Sequence, residues 1–219
     1  MITFEDIKNN EDIKIYIEEA DKSLIALGFT EHSFAHVGRV ASVAKYILQT
    51  LGYSEHDIEL VQIAAYLHDI GNLVNRIDHS LSGAVMAFRI LSNLNMPARD
   101  IAVITTAIGN HDEGTGVAVN PLAAALIIAD KSDVRYTRVR NRDASTFDIH
   151  DRVNYSVKKS TVTINDDQTS LILNLTVDTQ YSSVMDYFEI FLGRMIMCRK
   201  AAEKLGMTFK LIINNQQVL

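Results

Sequence analysis

Apolar residues recur at helical spacing through the first two thirds of the chain and at strand spacing in the last third. Ile13, Ile17, Leu24 and Leu27 share one face of a helix predicted over 11–27. Thr30 reads as the N-cap of a second helix, over 31–49, and Gly52 as the residue that closes it. Ser54 caps the next, in which Ile58, Val61, Ala65 and Leu67 lead into His68, and Gly71 stops it. Further helices are predicted near 79–94, 97–109 and 121–135. The two prolines, Pro97 and Pro121, stand at helix starts, where a missing N–H costs nothing.

The period changes after about residue 153. Val157–Ile164 and Ser170–Val177 are rich in Val, Thr and Ile, and Asn165-Asp166-Asp167-Gln168 between them is turn chemistry, so a β-hairpin is predicted. A long helix near 181–205 follows, with Val184, Phe188, Phe191, Met195 and Cys198 at helical spacing. Its stripe of Met185, Phe188, Phe191 and Met195 reads as core. Phe209–Ile213 reads as a final strand. The fold class is therefore mainly α: a helical domain over 1–153 and a small C-terminal α+β extension over 154–219 (hairpin, long helix, strand) packed on it.

With 219 residues, 47% hydrophobic and 22% charged, the chain can bury a substantial core. Its net charge of −6 argues against an extended nucleic-acid surface. A small anionic substrate is still compatible with it, because a metal centre and a few arginines supply local positive charge. The single cysteine, Cys198, has no internal disulfide partner, and no apolar run reaches the ~18 residues of a membrane span. The acidic N-terminus lacks a signal-peptide pattern, so a cytoplasmic protein without membrane contact is expected.

The candidate chemistry lies in scattered His and Asp residues. The dipeptide His-Asp alone says little, since it occurs as His56-Asp57, His68-Asp69, His111-Asp112 and His150-Asp151. Context separates them. Asp57 sits in the first turn of a helix, where it complements the helix dipole. His68-Asp69 closes an apolar helix, where a buried charge needs a partner such as a metal. Neutral imidazoles and carboxylates together suit a divalent transition metal.

His36-Val37-Gly38-Arg39-Val40-Ala41, then His68-Asp69-Ile70-Gly71, then Ala129-Asp130, in that order on helices, resemble the HD superfamily of metal-dependent phosphohydrolases. The resemblance covers roughly residues 30 to 140 and implies an HD-type helical bundle. It implies His36, His68, Asp69 and Asp130 as ligands of a first metal. His79 and His111 are similar to the extra histidines of the two-metal branch, in which the aspartate matching Asp69 bridges the ions. One or two divalent ions are implied, with Mn, Fe, Mg, Co, Ni and Zn not distinguished. The activity implied is hydrolysis of a phosphoester or phosphoanhydride in a small phosphorylated substrate, a nucleotide or related molecule, with Asp69 as the catalytic residue. A di-iron oxygenase of the same superfamily and a non-enzymatic ligand sensor are the alternatives, and a homodimer is left open.

Where many two-metal relatives carry a phosphate-contacting lysine, this chain has Asn72. The cyclic-dinucleotide branch has a Gly-Tyr-Pro signature and a His-His-Glu, neither of which stands here. Arg135 and Arg138 would share a face if the helix through Asp130 continued, and would then clamp phosphate. The candidate substrate-binding residues are therefore Asn72, Arg135 and Arg138. Arg39 shares the face of His36 and is expected to point towards the site. His32 and His150 are read as structural.

Overall fold

The computed structural model describes residues 2–219. Among these, the helices are α1 (Phe4–Asn9), α2 (Glu11–Ala26), α3 (Phe34–Thr50), α4 (Glu55–Leu67), α5 (His79–Asn93), α6 (Ala98–Gly109), α7 (Pro121–Lys131), α8 (Ile149–Ser156) and α9 (Val184–Lys204). The strands are β1 (Val157–Ile164), β2 (Ser170–Val177), β3 (Thr208–Ile213) and β4 (Gln216–Gln217). No helix among the described residues is long and apolar enough to cross a membrane.

The helical part is organised around α4, buried from Leu60 to its end, and α7, buried over nearly its whole length. Such all-round apolar helices belong at the centre of a bundle. Helix α3 packs on both, α6 packs on α4, α5 and α7, and α5 lies against α6. Ser54 and Asn120 cap α4 and α7 with their side-chain oxygens. In α4, Asp57 is bonded to the cap residue Ser54, while His56 pairs with Asp100 of α6 at 3.0 Å.

Several predicted boundaries shift for local reasons. Helix α3 begins at Phe34, and its N-cap is Ser33, not Thr30. The Glu31 carboxylate accepts from the Ser33 and His36 amides, and the Thr30 carbonyl is engaged by the His32 ring. Helix α2 ends at Ala26, and Gly28 turns the chain at φ 79°, so Leu27 leaves the apolar face and is exposed. Helix α7 stops at Lys131 rather than near 135. Met185 is exposed, whereas Phe191, Met195 and Cys198 of the same helix are buried. Burial raises the Cys198 thiol to about 12, so it is not a nucleophile.

The C-terminal strands form one sheet in the order β1-β2-β3-β4. The β1–β2 hairpin is antiparallel, and β3 lies parallel to β2, with α9 as the crossover between them. Leu171, Leu173 and Leu175 pair with Phe209, Leu211 and Ile213, and all six are buried. Helix α9 contacts both β3 and α7, so one core runs through the sheet, the crossover helix and the helical bundle. Helix α8 spans the expected division between 153 and 154.

One close approach fixes the geometry beneath the candidate site. Gly71 lies in a 3-10 turn, Ile70–Leu73, directly after His68-Asp69. A Cβ there would overlap the His79 carbonyl oxygen and the Gly83 amide nitrogen. The start of α5 is thus held against the end of α4, which is what sets His79 beside Asp69. Gly71→Ala is expected to destabilise the fold by about 1–3 kcal/mol or more. Denaturant unfolding of the purified variant measures this, and an unchanged midpoint would show that the contact is not needed.

Candidate metal centre

Each expected ligand stands at or near a helix terminus. His36 is in the first turn of α3, His68 and Asp69 directly follow α4, and His79 opens α5. His111 lies just beyond α6, and Asp130 is in the last turn of α7. The histidines and Asp69 are buried and Asp130 nearly so.

Asp69 divides this group with its two carboxylate oxygens. Oδ2 lies 3.4 Å from His36 Nε2 and 3.3 Å from His68 Nε2. Asp130 Oδ1 faces the same two nitrogens, at 3.4 and 3.7 Å. Oδ1 of Asp69 looks the other way, 3.4 Å from His79 Nε2 and 3.9 Å from His111 Nε2. The donor atoms of His36, His68 and Asp130 lie within 4.8 Å of one another, as do those of His68, Asp69 and His111.

The four histidines share one orientation. His36 Nδ1 is 2.8 Å from Asp133 Oδ2, and His68 Nδ1 is 2.7 Å from the Ala65 carbonyl. His79 and His111 place Nδ1 at 3.1 and 2.6 Å from the carbonyls of Arg76 and Ile108. Each acceptor assigns the proton to Nδ1 and turns the Nε2 lone pair inwards. Nε2 of His36 and of His68 is buried with no hydrogen-bond partner. An orphaned buried polar atom costs about 1–3 kcal/mol. His79 Nε2 and His111 Nε2 face each other at 3.2 Å, so two lone pairs oppose unless a cation relieves them. These residues fit a divalent metal, and the imidazole and carboxylate donors do not choose among the first-row ions.

Electrostatics agrees. Burial opposes a charge on His68, yet the carboxylates of Asp69 and Asp130 outweigh it and push its pKa up to about 10. Burial would raise the pKa of Asp69, and the surrounding histidines instead hold it well below the usual carboxylate range. This pocket is therefore built to hold positive charge. Protons and a metal compete for it.

The residues that support the ligands were largely missed in the sequence. Asp133 is fully enclosed, and besides His36 it receives Arg39 Nε and Arg135 Nε, each at 2.9 Å. Burial works against its charge, and His36 and Arg138 hold its pKa below the usual carboxylate range. Arg39 accordingly points at Asp133, one layer behind the ligands. Lys131, also buried, pairs with Asp130 Oδ2 at 2.8 Å and Glu113 at 3.3 Å. Glu113 in turn holds Arg194 of α9 at 2.5 Å.

Asn72 lies behind Asp69, its amide donating to Asp69 Oδ1 at 3.1 Å while its oxygen accepts from Arg76 at 3.2 Å. Arg135 and Arg138 do not form the expected clamp, because α7 ends before them. Arg135 is spent on Asp133 and Glu31. Arg138 is buried, with Nε and Nη1 on the carbonyls of Glu31 and Asp133. Arg138 lines a 320 Å³ cleft together with His32, Arg76, Asp148, Asp151, Phe191 and Arg194, and His150 is on its rim. That cleft adjoins the centre: the His32 ring packs on His36 with centroids 5.4 Å apart, and Arg76 Nη1 lies 3.5 Å from His79 Nε2. His32 and His150, read as structural, thus both face the cleft.

The family model described as HD domain matches residues 33–153, a span that contains all six candidate ligands. The chain belongs to the HD domain family. It is 25% identical over 160 residues to an uncharacterised protein of Methanocaldococcus jannaschii, covering 63% of this chain. It spans 61% of that relative's length. A crystal structure of a predicted HD superfamily hydrolase from an uncultured Thermotogales bacterium is 26% identical, with a TM-score of 0.44 over 57% of this chain and 67% of that one.

In this HD domain Asp133 is a positioning residue for His36. Asp133→Ala is expected to weaken metal binding by about 10–100-fold. Competitive titration against a chelating dye measures it, and an unchanged affinity in the folded variant would remove Asp133 from that role.

Proposed function

We propose that the chain is a metal-dependent phosphohydrolase that cleaves a phosphoester or phosphoanhydride in a small phosphorylated molecule such as a nucleotide. The observation that carries this reading is the orientation of Asp69, with one carboxylate oxygen towards His36 and His68 and the other towards His79 and His111. That is the disposition of a carboxylate shared by two cations. The chemistry that divalent ions supply in such a site is an acidified water and a counter-charge for phosphoryl oxygens.

The chain's own residues would do the rest. Asp69, fixed by the Asn72 amide, keeps the two ligand groups in register. Asp130 is oriented by Lys131 through its second oxygen, leaving the first for the centre. Arg76 stands between the centre and the cleft, where a guanidinium suits an arriving phosphate. Arg76, Arg138 and Arg194 all line the cleft, which suits an anionic substrate, with Asp148 and Asp151 on the same wall.

Phosphate release should be seen from p-nitrophenyl phosphate or from nucleoside phosphates with added Mn, Mg, Fe or Zn, and chelation should remove it. Asp69→Ala should lower turnover below detection and reduce bound metal, measured by elemental analysis. Oxygen consumption by an iron-loaded protein that releases no phosphate would overturn the reading, as would full activity in the folded Asp69→Ala variant.

A further inference from the structure

The cleft beside the metal centre is built from both parts of the chain. Arg76 follows the His68-Asp69 turn, whereas Arg194 and Phe191 come from α9 of the C-terminal extension. Each arginine is pre-arranged in the same way. The Arg76 guanidinium carbon lies 5.5 Å from the Phe29 ring centroid, and that of Arg194 lies 4.4 Å from the Phe191 centroid. Both phenylalanines line the cleft as well. Stacking on a ring holds a guanidinium in one plane and leaves its edge for a ligand.

Arg194 has one carboxylate partner among the described residues, Glu113, reached through Nε. Glu113 is shared with Lys131. Lys131 is met by both Glu113 and Asp130, and Asp148 and Asp151 also line the cleft, so the corner is charge-balanced. What it offers a ligand is the outer edge of the Arg194 guanidinium, since Glu113 is reached through Nε. Because Lys131 also pairs with Asp130, Arg194 is joined to a candidate metal ligand by three ion pairs in series.

We infer that Arg194 binds a second phosphoryl group of the substrate, next to the one at the metal centre, and that the C-terminal extension thereby sets specificity for molecules carrying two phosphoryl groups. This rests on the phosphohydrolase reading for the role of the first group. The chemical class is a nucleoside diphosphate or a sugar carrying an equivalent pair of phosphates. Glu113 positions the guanidinium, and Arg76 serves the phosphoryl group nearer the ligands.

The test is calorimetric binding of adenosine mono- and diphosphate to the full chain with excess divalent metal. The diphosphate should bind at least about 10-fold more tightly than the monophosphate. Arg194→Met should lose about 10–100-fold in diphosphate affinity, the range of charge-assisted hydrogen bonds. Its monophosphate affinity should stay within roughly 2-fold, since that ligand lacks the group Arg194 would hold. Arg194→Lys keeps the charge without the planar fork and should fall between them, which preserves the test if the methionine variant unfolds. An equal loss for both nucleotides, no loss in a folded variant, or no diphosphate preference in the wild type would each overturn the inference. If the preference and its loss are seen but neither nucleotide is hydrolysed, Arg194 keeps its role and the hydrolase reading fails instead.

Discussion

A carboxylate buried among four imidazoles is the constraint on which this structure depends. Asp69 is too deep to be solvated, and burying its charge unpaired would cost several kcal/mol. Neutral imidazoles do not offset it. The Nε2 atoms of His36 and His68 face one oxygen and those of His79 and His111 the other, so the group calls for protons or cations between them. Those histidines are themselves fixed by acceptors behind them, three backbone carbonyls and the Asp133 carboxylate. Three of the four acceptors are main-chain atoms, two at the ends of α4 and α6 and one in the turn before α5, so the geometry is set mostly by the backbone and not by adjustable side chains.

The packing follows from that requirement. A helix terminus frees carbonyls that have no partner inside the helix. The ends of α4 and α6 use such carbonyls, of Ala65 and Ile108, to orient His68 and His111. Five helices meeting end to end would normally leave a wet gap between them. Here Gly71 allows α5 to approach the end of α4 closely, and α4 and α7 contribute the buried apolar residues behind the ligands. The fold thus concentrates unsatisfied polar groups at one point, which is a poor arrangement for stability alone and a good one for holding cations.

The bundle and the ligand group were legible in the sequence because both rest on local signals. Apolar residues at helical spacing marked the helices, and a buried His-Asp at the end of an apolar run marked the centre. What was hidden depended on termination and on distance. Nothing in Lys131-Ser132-Asp133-Val134 is a strong helix stop, so the pattern predicts α7 through to 135 with Arg135 and Arg138 on a shared face, whereas the helix ends at Lys131. Asp133, three residues beyond a ligand, looks like an ordinary surface acid until α3 is folded against it. The parallel placement of β3 beside β2 likewise required knowing where α9 would lie, although a long helix between two strands is the connection that parallel pairing demands.

The C-terminal unit is tied to the centre by two separate polar links, and this changes what it is. Arg39, which holds Asp133, also donates to the Ser160 carbonyl of β1 at 2.5 Å, while the Ser160 hydroxyl donates to the Ser132 carbonyl at 2.6 Å. On the other side Arg194 of α9 holds Glu113, beside His111. One link therefore reaches the residue that orients His36, and the other reaches the loop that carries His111. Polar links alone do not separate one domain from two, since interfaces between domains are commonly polar. Here the charged groups at the junction also back the candidate ligands, so their desolvation has already been met by the site. The sheet and its crossover helix are best regarded as one wall of the centre, built late in the chain but acting at the same point as the first histidine.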